Sequence, residues 1–480
     1  MNINKVFSGP YDLDIKSVRV DSREKAEDAA FFCIVGFNSD GHDYIKNAVD
    51  NGAICMVHSR DLKEKLPGIC YVKVEDTKDA LNRFLKVFSD DVTKKMNVYG
   101  VTGTNGKTTI SYVLYSLLNH FEKTGYIGTI GYAYDGEMYD QYHTTPDILP
   151  LYKIFMEMEK ADVKNVAMEV SSQGLDLKRA DSIDFNVAIY TNLTQEHIDY
   201  HKTMENYYIA KRRLFELLRD DGIAVINADD PYGPRLLKET RGKAVSFGID
   251  NDADYKAEDL KEFTDHSEFK LVCRGKEYSV YTNILAKFNV SNLLACIAAL
   301  AETGYKLEDI IPLLSDLPTV PGRCQMIDMG QDFTVLVDFA HTPDGLLKIL
   351  EYAKSITKGR VIAAFGTGGE RDKAKRPMMG EVADRLCDEI ILTCDDNHHE
   401  PLQNILDGIA SGIKNHSHYE YDDRYDAIEK AISLAKTGDI VCILSKGCEQ
   451  FYKVGDGKVF YMGDDNAARE LLKKRLNRED

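Results

Sequence analysis

The sequence has no tryptophan, no Cys-x-x-Cys pair and no apolar run long enough to span a bilayer. Its ten cysteines are scattered along 480 residues, which argues against a disulfide framework or a zinc site and predicts buried, reduced thiols. The first residues, 1–5, are not followed by the apolar core of a signal peptide. These absences predict a soluble, cytoplasmic protein without a membrane span.

The chain also lacks an excess of positive charge, since its formal net charge is −18. A protein that coats nucleic acid needs a basic surface to neutralise phosphates, so no nucleic-acid partner is expected. The hydrophobic share of 44% and the charged share of 29% are typical of globular proteins with substantial cores. The length alone predicts roughly two to four domains.

Residues 98–109 read Val-Tyr-Gly-Val-Thr-Gly-Thr-Asn-Gly-Lys-Thr-Thr, which predicts a strand, a glycine turn and the start of a helix. Gly103 and Gly106 allow backbone N–H groups to approach phosphate oxygens, and the helix N-terminus attracts anions. Lys107 is expected to reach the outer phosphates and Thr108 to hold magnesium. The Gly-x-x-Gly-Lys-Thr spacing is shorter than the general phosphate-binding pattern, and an ordinary glycine turn is the alternative. Its position between strand and helix favours an ATP site.

Strands and helices alternate along the rest of the chain, which is typical of a mainly parallel sheet with crossover helices. A Pro/Gly-rich break at 317–323 separates two such regions, and a smaller α/β region precedes the glycine turn. We therefore predict three α/β domains, at 1–92, 93–318 and 319–480. Clear elements are the predicted helix 77–88 and the predicted strands 29–35, 53–57, 166–168, 185–190, 223–226, 333–337, 360–365, 389–393 and 440–444.

Several polar residues directly follow predicted strands, where ligands gather in open α/β sheets. Glu169 is expected to share a metal ion with the glycine turn, whereas His197 is more often a hydrogen-bonded loop residue than a magnesium ligand. Lys211, on a predicted helix, is on its own more often solvated than catalytic. Asp338 and His341 have the position of a ligand-contacting turn, with a helix cap as the alternative.

Eight segments, taken together in order and spacing, resemble the Mur ligases over essentially the whole chain. Those enzymes build the peptide stem of peptidoglycan, and the resemblance is greatest to the members that add the third residue to UDP-N-acetylmuramoyl-L-alanyl-D-glutamate. The segments are 102–109, 143–147, 168–172, 192–201, 210–211, 288–292, 321–323 and 337–344. The resemblance implies a small UDP-binding domain, a central ATPase domain with a phosphate-binding loop and a Rossmann-like C-terminal domain that binds the amino acid.

The resemblance also implies roles for individual residues, with Lys107, Lys211 and His197 as the catalytic ones. Two magnesium ions would be held by Thr108, Glu169, His197 and Lys211, the last as a carbamate that forms from a neutral amine whose pKa nearby cations depress. The implied ATP-binding residues are Gly103, Thr104, Asn105, Gly106, Lys107, Thr108, Thr109, Asn289, Asn292, Arg323, Asp338 and His341. The implied UDP-substrate residues are Ser22, Arg23, His42, Thr144, Thr145, Ser171 and Arg179. The implied amino-acid residues are Arg376, Asp396, Asn397, His399 and Glu449.

The implied reaction is the ATP-dependent formation of an amide bond through an acyl phosphate. ATP would activate the D-glutamate carboxylate of the UDP-linked muramoyl dipeptide, and the amino group of a free amino acid would then displace phosphate. The third domain would close over the site and exclude water. Keywords that follow are ligase, peptidoglycan synthesis, cell-wall biogenesis, cell shape and cell division, and a monomer is the default expectation.

The chain departs from the family pattern where the amino acid is chosen. Members that add diaminopimelate carry Asp-Asn-Pro-Arg, whereas residues 395–401 here read Asp-Asp-Asn-His-His-Glu-Pro and lack the arginine that clamps the distal carboxylate. The family's Gly-Lys-Gly-His-Glu is replaced by Ser-Lys-Gly-Cys-Glu at 445–449. Because Asp395, Asp396 and Glu400 could favour a cationic tail, L-lysine is expected in preference to diaminopimelate. Gln173, in place of the usual histidine, is expected to be tolerated.

Two alternatives remain open at this point. The first is a related ligase that acts on another carboxylate or amino acid, such as a folate polyglutamate, although the UDP-type first domain argues against folate. The second is a non-catalytic nucleotide-binding partner in cell-wall assembly. The joint presence of Lys107, Glu169, His197 and Lys211 argues against the second, because a protein that only binds nucleotide does not need all four.

Overall fold

The structure is a computed structural model that describes residues 1–36, 39–141 and 143–479. Its described residues form two compact units. The first unit contains 1–100, 118–188 and 213–222, and the second contains 101–117, 189–212 and 223–480. The three domain boundaries expected from the sequence stay a prediction.

The described residues alternate between helices and strands through most of the chain. The helices are α1 (Ile45–Asp50), α2 (Thr77–Phe88), α3 (Lys107–Asn119), α4 (Ile148–Lys160), α5 (Ser172–Asp176), α6 (Ile198–His201), α7 (Met204–Glu216), α8 (Gly233–Glu239), α9 (Lys287–Glu302), α10 (Leu307–Ile310), α11 (Pro343–Ile356), α12 (Lys375–Leu386), α13 (Leu402–Ala410), α14 (Arg424–Leu434) and α15 (Asp464–Glu479). Short 3-10 helices lie at Ile3–Lys5, Gly41–Tyr44, Val92–Lys95 and Ile311–Asp316. In the described part of the chain, no helix has the length and apolar composition needed to cross a membrane.

The strands are numbered in chain order. They are β1 (Ser17–Arg19), β2 (Ala29–Phe32), β3 (Ala53–His58), β4 (Cys70–Lys73), β5 (Asn97–Thr102), β6 (Thr124–Gly128), β7 (Gly131–Tyr134), β8 (Glu137–Tyr139), β9 (Asn165–Glu169), β10 (Phe185–Tyr190), β11 (Leu218–Asn227), β12 (Lys243–Gly248), β13 (Tyr255–Glu262), β14 (Ser267–Cys273), β15 (Lys276–Thr282), β16 (Gln325–Met326), β17 (Thr334–Asp338), β18 (Val361–Phe365), β19 (Glu389–Thr393), β20 (His418–Tyr421), β21 (Ile440–Leu444), β22 (Phe451–Val454) and β23 (Gly457–Phe460).

The first unit begins with a parallel sheet in the order β1-β2-β3-β4. Helix α2 covers one face of this sheet, and the ring centroids of Phe84 in α2 and Phe32 in β2 are 5.4 Å apart. Asp76 caps this helix by accepting hydrogen bonds from the first-turn N–H groups of Lys78 and Asp79. The predicted helix 77–88 is therefore confirmed, because cap and apolar stripe agree on its boundaries.

Each unit adds antiparallel strands to a parallel core, and the sequence did not indicate them. In the first unit β9 and β6 are parallel, and β6-β7-β8 continue as antiparallel hairpins. In the second unit β11-β12-β13 are parallel, and β13-β14-β15 are antiparallel. Buried and half-buried residues alternate strictly along β14, which is the pattern of a sheet with one solvated face.

The end of the second unit is a sheet in the order β16-β17-β21-β18-β19-β20, in which only β16 is antiparallel to its neighbour. Helices α11, α12 and α13 pack on one face, and α14 and α15 pack on the other. All five residues of β18 and of β21 are buried, as expected for central strands covered on both faces. The carboxyl ends of the parallel strands therefore meet at one edge of this sheet, where Asp338, Gly366, Cys394 and Ser445 lie.

Helices α12 and α13 approach each other so closely that Gly380 has no room for a side chain. A Cβ atom added there would lie 2.0 Å from the carbonyl oxygen of Ile409. Alanine in a helix interior normally stabilises by up to about 1 kcal/mol relative to glycine. We expect Gly380→Ala to destabilise instead, by about 1–3 kcal/mol, because the backbone of α13 must move. Denaturant unfolding measures the change.

Gly457→Ala is the matched control, because its added Cβ would lie 3.7 Å from the nearest atom, the carbonyl oxygen of Val454. Its stability should stay within about 0.5 kcal/mol of the wild type. A Gly380→Ala variant as stable as this control would show that the helices do not depend on the close contact.

Candidate active site

The glycine turn between β5 and α3 has a backbone that only glycine can adopt at two positions. Gly103 has a φ of +152° and Gly106 a φ of +90°. A Cβ atom on Gly103 would lie 1.7 Å from Thr191 Oγ1, and one on Gly106 would lie 2.5 Å from Asn292 Oδ1. The turn is thus tightly enclosed within the second unit, where the N–H groups of Thr104 and Asn105 donate to Asn192, each over 2.9 Å. It leads directly into the N-terminus of α3, which is the position of an anion-binding loop.

Two lysines converge on the carbonyl oxygen of Gly103 in this turn. Lys107 Nζ donates to it over 2.9 Å, and Lys211 Nζ donates to it over 2.7 Å. Lys107 also donates to the carbonyl oxygen of Thr104 over 2.8 Å. Lys211 is only 1% exposed, and its ammonium lies 4.4 Å from the ring centroid of Tyr207. The structure therefore brings together the two lysines that the sequence singled out from positions 104 residues apart.

Burial changes the protonation of the groups around this turn. It lowers the pKa of Lys211 well below its ordinary value, and the positive charge of Lys107 lowers it further. The sequence correctly indicated a depressed pKa but attributed it to nearby cations, whereas burial is the larger cause. Burial is the largest cause that lowers the pKa of His197, to about 4. The lysines Lys211 and Lys107 lower it further, and the three effects together outweigh the opposing attraction of Glu196. At neutral pH the imidazole is neutral, which is the form that can bind a metal ion.

Glu196 supplies the negative charge of this cluster. Burial on its own raises the pKa of Glu196, but the nearby His197 and the hydrogen bond from His341 lower it well below its ordinary value. Nε2 of His341 lies 2.7 Å from Glu196 Oε1, and Nδ1 of the same ring lies 2.8 Å from the carbonyl oxygen of Phe339. Both ring nitrogens of His341 thus face oxygen atoms, which fixes the ring next to the glycine turn.

Residues beyond position 320 also contact the glycine turn within the second unit. Arg323 donates from Nη2 to Thr108 Oγ1 over 3.1 Å, and its guanidinium lies 4.4 Å from the ring centroid of Phe339. Asn105 donates from Nδ2 to Asp344 Oδ2 over 3.1 Å. These contacts place the predicted third domain directly against the candidate phosphate-binding loop.

The other predicted nucleotide residues are well ordered by internal contacts. Asn292 donates to Asn289 Oδ1 over 3.1 Å, and Asn289 donates to the carbonyl oxygen of Leu285 over 3.0 Å. The Asp338 carboxylate accepts from the N–H groups of Cys324 at 2.7 Å and Ala340 at 2.8 Å. Asp338 therefore shapes the turns on both sides of β17, although burial raises its pKa.

In the first unit, Glu169 ends β9 as a fully buried carboxylate. It accepts hydrogen bonds from Tyr126 Oη at 2.9 Å and from the N–H and hydroxyl groups of Thr129 at 2.7 and 3.1 Å. Thr144 lies beside it, with its hydroxyl 3.0 Å from that of Thr129. The carboxylate is therefore rigidly oriented by neutral donors.

The predicted dipeptide residues Thr145, Ser171 and Arg179 form one hydrogen-bonded group in the first unit. Thr145 donates to the carbonyl oxygen of Glu169 and accepts from the N–H of Ser171 over 2.9 Å. Ser171 caps α5 by accepting from the N–H of Gly174, and Arg179 donates to the carbonyl oxygen of Thr145 over 3.0 Å. Serine and threonine here have the usual helix-start role as well as the predicted one.

The predicted uridine-diphosphate residues of the first domain differ in how accessible they are. His42 is 7% exposed, and both ring nitrogens are used inside the protein, because Nδ1 lies 2.5 Å from Asp40 Oδ1 and Nε2 accepts from the N–H of Ser59. The Ser22 hydroxyl is buried and accepts a hydrogen bond from an asparagine side chain. Arg23 is exposed and pairs with the neighbouring Asp21 over 2.7 Å. Of the three side chains, Arg23 is the one in a position to meet a ligand.

In the C-terminal sheet region, the predicted residues Arg376, Asp396 and Glu449 form ion pairs with side chains outside the predicted set. Arg376 forms a two-pronged ion pair with Glu400, at 2.9 and 2.8 Å. This pairing lowers the pKa of Glu400 to about 2, against the opposing effect of burial. Lys446 lies 2.6 Å from Asp396 Oδ1 and 2.8 Å from Glu449 Oε2. The sequence predicted that Arg376 and Glu449 bind the amino acid. It could not show that each of them already has an ion-pair partner within the protein.

Among the buried polar atoms of the described residues that have no hydrogen-bond partner, two belong to predicted amino-acid residues. They are Oδ1 of Asn397, an acceptor, and Nε of Arg376, a donor. Buried polar atoms are normally paired, so an acceptor and a donor without partners are consistent with a ligand that has both kinds of group. His399 instead faces outward and lies 3.2 Å from Asp456.

Some of the predicted ligands are of the types that bind magnesium, although they do not form a dense cluster. In the described ranges, no group of three or more His, Cys, Asp or Glu side chains could hold a metal ion. Magnesium keeps several waters and takes phosphate oxygens, so one or two protein ligands suffice. The Thr108 hydroxyl at the turn and the neutral His197 ring, both in the second unit, fit that limited role. Glu169, in the first unit, stays a predicted ligand.

The sequence gave no role to three charged residues that the structure places at these sites. Lys375 is buried and donates to the carbonyl oxygen of His341 over 3.0 Å. Arg424 and Asp464 form a fully buried ion pair beneath the loops that follow β19 and β21. A single charged residue at the start of a helix has no sequence signal that separates it from a solvated one.

Comparison with known families agrees with this organisation. Residues 14–89 match the family described as Mur ligase, catalytic domain, residues 101–300 match the Mur ligase middle domain, and residues 322–447 match the Mur ligase, glutamate ligase domain. The three successive matches confirm the expected three-part α/β architecture.

Individual relatives and solved structures match this chain over nearly its whole length. A UDP-N-acetylmuramoyl-L-alanyl-D-glutamate–2,6-diaminopimelate ligase of Clostridium acetobutylicum is 39% identical, with 98% of this chain and 97% of the relative covered. A ligase of the same name from Bacillus cereus is also 39% identical, covering 97% and 96%. A solved structure of a ligase of that name has a TM-score of 0.71 at 28% identity, covering 99% of each chain. The chain therefore belongs to the Mur ligase family of ATP-dependent amide-bond ligases.

Proposed function

We propose that this ligase adds 2,6-diaminopimelate to the D-glutamate carboxylate of UDP-N-acetylmuramoyl-L-alanyl-D-glutamate, with ATP converted to ADP and phosphate, in peptidoglycan synthesis. The substrates are those in the names of relatives 39% identical over almost their full length. The structural observation that carries the proposal is the convergence of Lys107 and Lys211 on the Gly103 carbonyl oxygen. A phosphate-binding turn with one charged and one buried, neutral lysine suits phosphoryl transfer followed by amine capture.

The first step would activate the carboxylate. A carboxylate oxygen attacks the γ-phosphorus of ATP, the bond to the bridging oxygen breaks, and ADP leaves with the bond electrons. In the structure, Lys107 donates to the carbonyl oxygens of Gly103 and Thr104. With ATP bound, its side chain would reorient and donate to the phosphate oxygens in the turn. Its charge and the N–H groups of the turn would stabilise the transition state by position and electrostatics.

In the second step the amino group, having lost a proton, attacks the acyl carbon. The tetrahedral intermediate gives up an N–H proton to the departing phosphate, expels it as inorganic phosphate and leaves the amide. Arg323, Asp344 and His341 already contact the glycine turn and its neighbours, so the C-terminal part of the second unit is available to keep water from the acyl phosphate.

Magnesium, when bound, would neutralise charge on the phosphates and would be held in the second unit by Thr108 and His197. A role for Glu169 as a further ligand stays a prediction. We propose that Lys211 is carbamylated, which gives the site another carboxylate. Carbamate formation needs a neutral amine, and the burial of Lys211 supports one. Lys211 would then act as an oxygen donor rather than as a cation.

The choice of diaminopimelate over lysine follows from the charges around the pocket. The lysine hypothesis rested on Asp395, Asp396 and Glu400 as acids that attract a cationic tail. Each of them has a basic partner inside the chain. The ion pairs are Asp395–Lys446 at 3.5 Å, Asp396–Lys446 at 2.6 Å, Asp396–Lys453 at 3.3 Å, Glu400–Arg376 at 2.8 Å and Glu400–Lys373 at 3.2 Å.

With these acids neutralised, the local charge does not favour a substrate with an extra positive group. The names of the relatives support diaminopimelate, and lysine stays the second candidate because residues 395–401 lack the arginine. The orphaned Asn397 Oδ1 and Arg376 Nε support a ligand that has both an ammonium and a carboxylate group. A cytoplasmic location and a monomeric state stay predictions.

Phosphate release with purified protein, the UDP-linked dipeptide, ATP and a panel of amino acids tests the proposed substrate. We expect kcat/KM for diaminopimelate to exceed that for lysine by at least about 10-fold, the effect of one charge-assisted hydrogen bond. Reactions without dipeptide or without amino acid are the controls. A preference for lysine would overturn the substrate assignment, and no release with any pair would support a non-catalytic partner.

Lys107→Met tests the phosphate-binding turn. Because the variant removes the charged donor without adding bulk, we expect kcat to fall by about 10²–10³-fold. The control is Lys354→Met on the exposed face of α11, which should keep wild-type kinetics. Wild-type turnover by Lys107→Met would remove this lysine from the mechanism.

The carbamate on Lys211 is tested by ¹³C NMR of protein equilibrated with ¹³C-bicarbonate. We expect a carbamate carbonyl resonance in the wild type and in Lys354→Met, and none in Lys211→Met. The proposed modification would be contradicted if the wild type showed no such resonance, or if Lys211→Met kept it.

A further inference from the structure

The ion pair between Arg424 and Asp464 is completely buried in the C-terminal sheet region. Nε of Arg424 lies 2.7 Å from Asp464 Oδ1, and Nη2 lies 2.7 Å from Oδ2, with both side chains 0% exposed. Arg424 begins α14 and Asp464 begins α15, both of which pack on the same face of the sheet. A charged pair that is fully buried needs hydrogen bonds to its remaining donors and acceptors, so the groups that accept from Arg424 are informative.

Those remaining bonds all reach the carboxyl ends of the central strands. Arg424 donates to the carbonyl oxygen of Leu444 at the end of β21 and, over 3.2 Å, to that of Cys394 just after β19. It also lies 3.4 Å from Ser445 Oγ, and that hydroxyl accepts from the N–H of Gly366, which follows β18. One guanidinium thus links the ends of three adjacent strands.

The loop after β21 has a backbone that needs such support. Ser445 has a φ of +85°, in the left-handed region that non-glycine residues rarely adopt. Asp464 accepts the N–H of Gly447 over 3.0 Å and in turn donates its own N–H to the Gly447 carbonyl oxygen over 2.8 Å. Arg424 and Asp464 therefore hold the loop on both sides of Lys446.

The residues that this pair fixes adjoin the charged residues of the proposed amino-acid pocket. Asp395 and Asp396 directly follow Cys394, and Lys446 directly follows Ser445. Lys446, in turn, is 1% exposed and orients Asp396 and Glu449 through its ion pairs. A shift of either strand end would therefore move the groups that face the substrate.

A second Arg–Asp pair at the opposite edge of the same sheet gives a comparison. Arg360 precedes β18 and pairs with Asp439, which precedes β21, at 2.8 Å. Arg360 also donates to the carbonyl oxygen of Leu434 at the end of α14, so it too has a backbone acceptor besides its carboxylate partner. It differs from Arg424 in its position at the amino ends of the strands, away from the edge where ligands bind.

We infer that Arg424, held by Asp464, is a positioning residue for amino-acid binding, because it fixes the loop ends that carry Asp395, Asp396 and Lys446. The inference rests on the proposed function, in which these loops receive the incoming amino acid. Arg424 acts through the loops and does not touch the substrate.

Arg424→Lys tests this inference, with Arg360→Lys as the matched control. Lysine keeps the positive charge beside Asp464, but one ammonium group cannot reproduce the fork that reaches Cys394, Leu444 and Ser445 together. We expect the KM for diaminopimelate to rise by at least about 10-fold in Arg424→Lys, while the KM for ATP and kcat at saturating amino acid stay within about 3-fold. Arg360→Lys should leave the KM values for diaminopimelate and for ATP unchanged, even if thermal denaturation shows that it loses as much stability as Arg424→Lys.

Hydrogen exchange of the backbone amides gives a second readout that does not depend on turnover. We expect faster exchange at 394–397 and 445–449 in Arg424→Lys than in the wild type or in Arg360→Lys. A folded Arg424→Lys variant with wild-type KM and exchange would overturn the inference, as would an equal rise of KM in both variants. If the wild type released no phosphate, the proposed function would fail, and the exchange comparison would still decide the role of Arg424 in loop position.

Discussion

The carbonyl oxygen of Gly103 is shared by two lysine side chains, and the chemistry of the second unit depends on that arrangement. Two ammonium groups that approach one buried oxygen repel each other, and burial penalises the charge of the less exposed one. Lys211, at 1% exposure, is the one whose pKa falls, while Lys107 remains the cation of the turn. A single backbone oxygen thereby holds a charged and a neutral amine a short distance apart.

The surrounding residues complement this pair in charge. His197 is neutral because burial, together with the positive charge of Lys107, lowers its pKa, and Glu196 stays ionised because the hydrogen bond from His341 offsets its burial. Arg323 and Asp344 add contacts to Thr108 and Asn105 of the turn. The nucleotide-binding turn is thus surrounded by groups from two successive family matches, and all of these groups lie in the second unit.

Local features of the site could be predicted from the sequence, whereas pairs between distant residues could not. The glycine turn and the helix 77–88 follow from spacing, caps and periodicity, which are properties of neighbouring residues. The ion pairs of Arg376 with Glu400 and of Lys446 with Asp396 join residues 24 and 50 positions apart. Only the fold decides that these groups neutralise each other, and for that reason the charge argument for a lysine substrate was weaker than the sequence suggested.

A crystal structure with a non-hydrolysable ATP analogue tests the central claim most directly. The account predicts the γ-phosphate within hydrogen-bonding distance of Lys107 Nζ, with that lysine no longer bonded to the Gly103 carbonyl oxygen and Lys211 still facing the same space. An analogue bound elsewhere on the chain, with both lysines unchanged on Gly103, would contradict it.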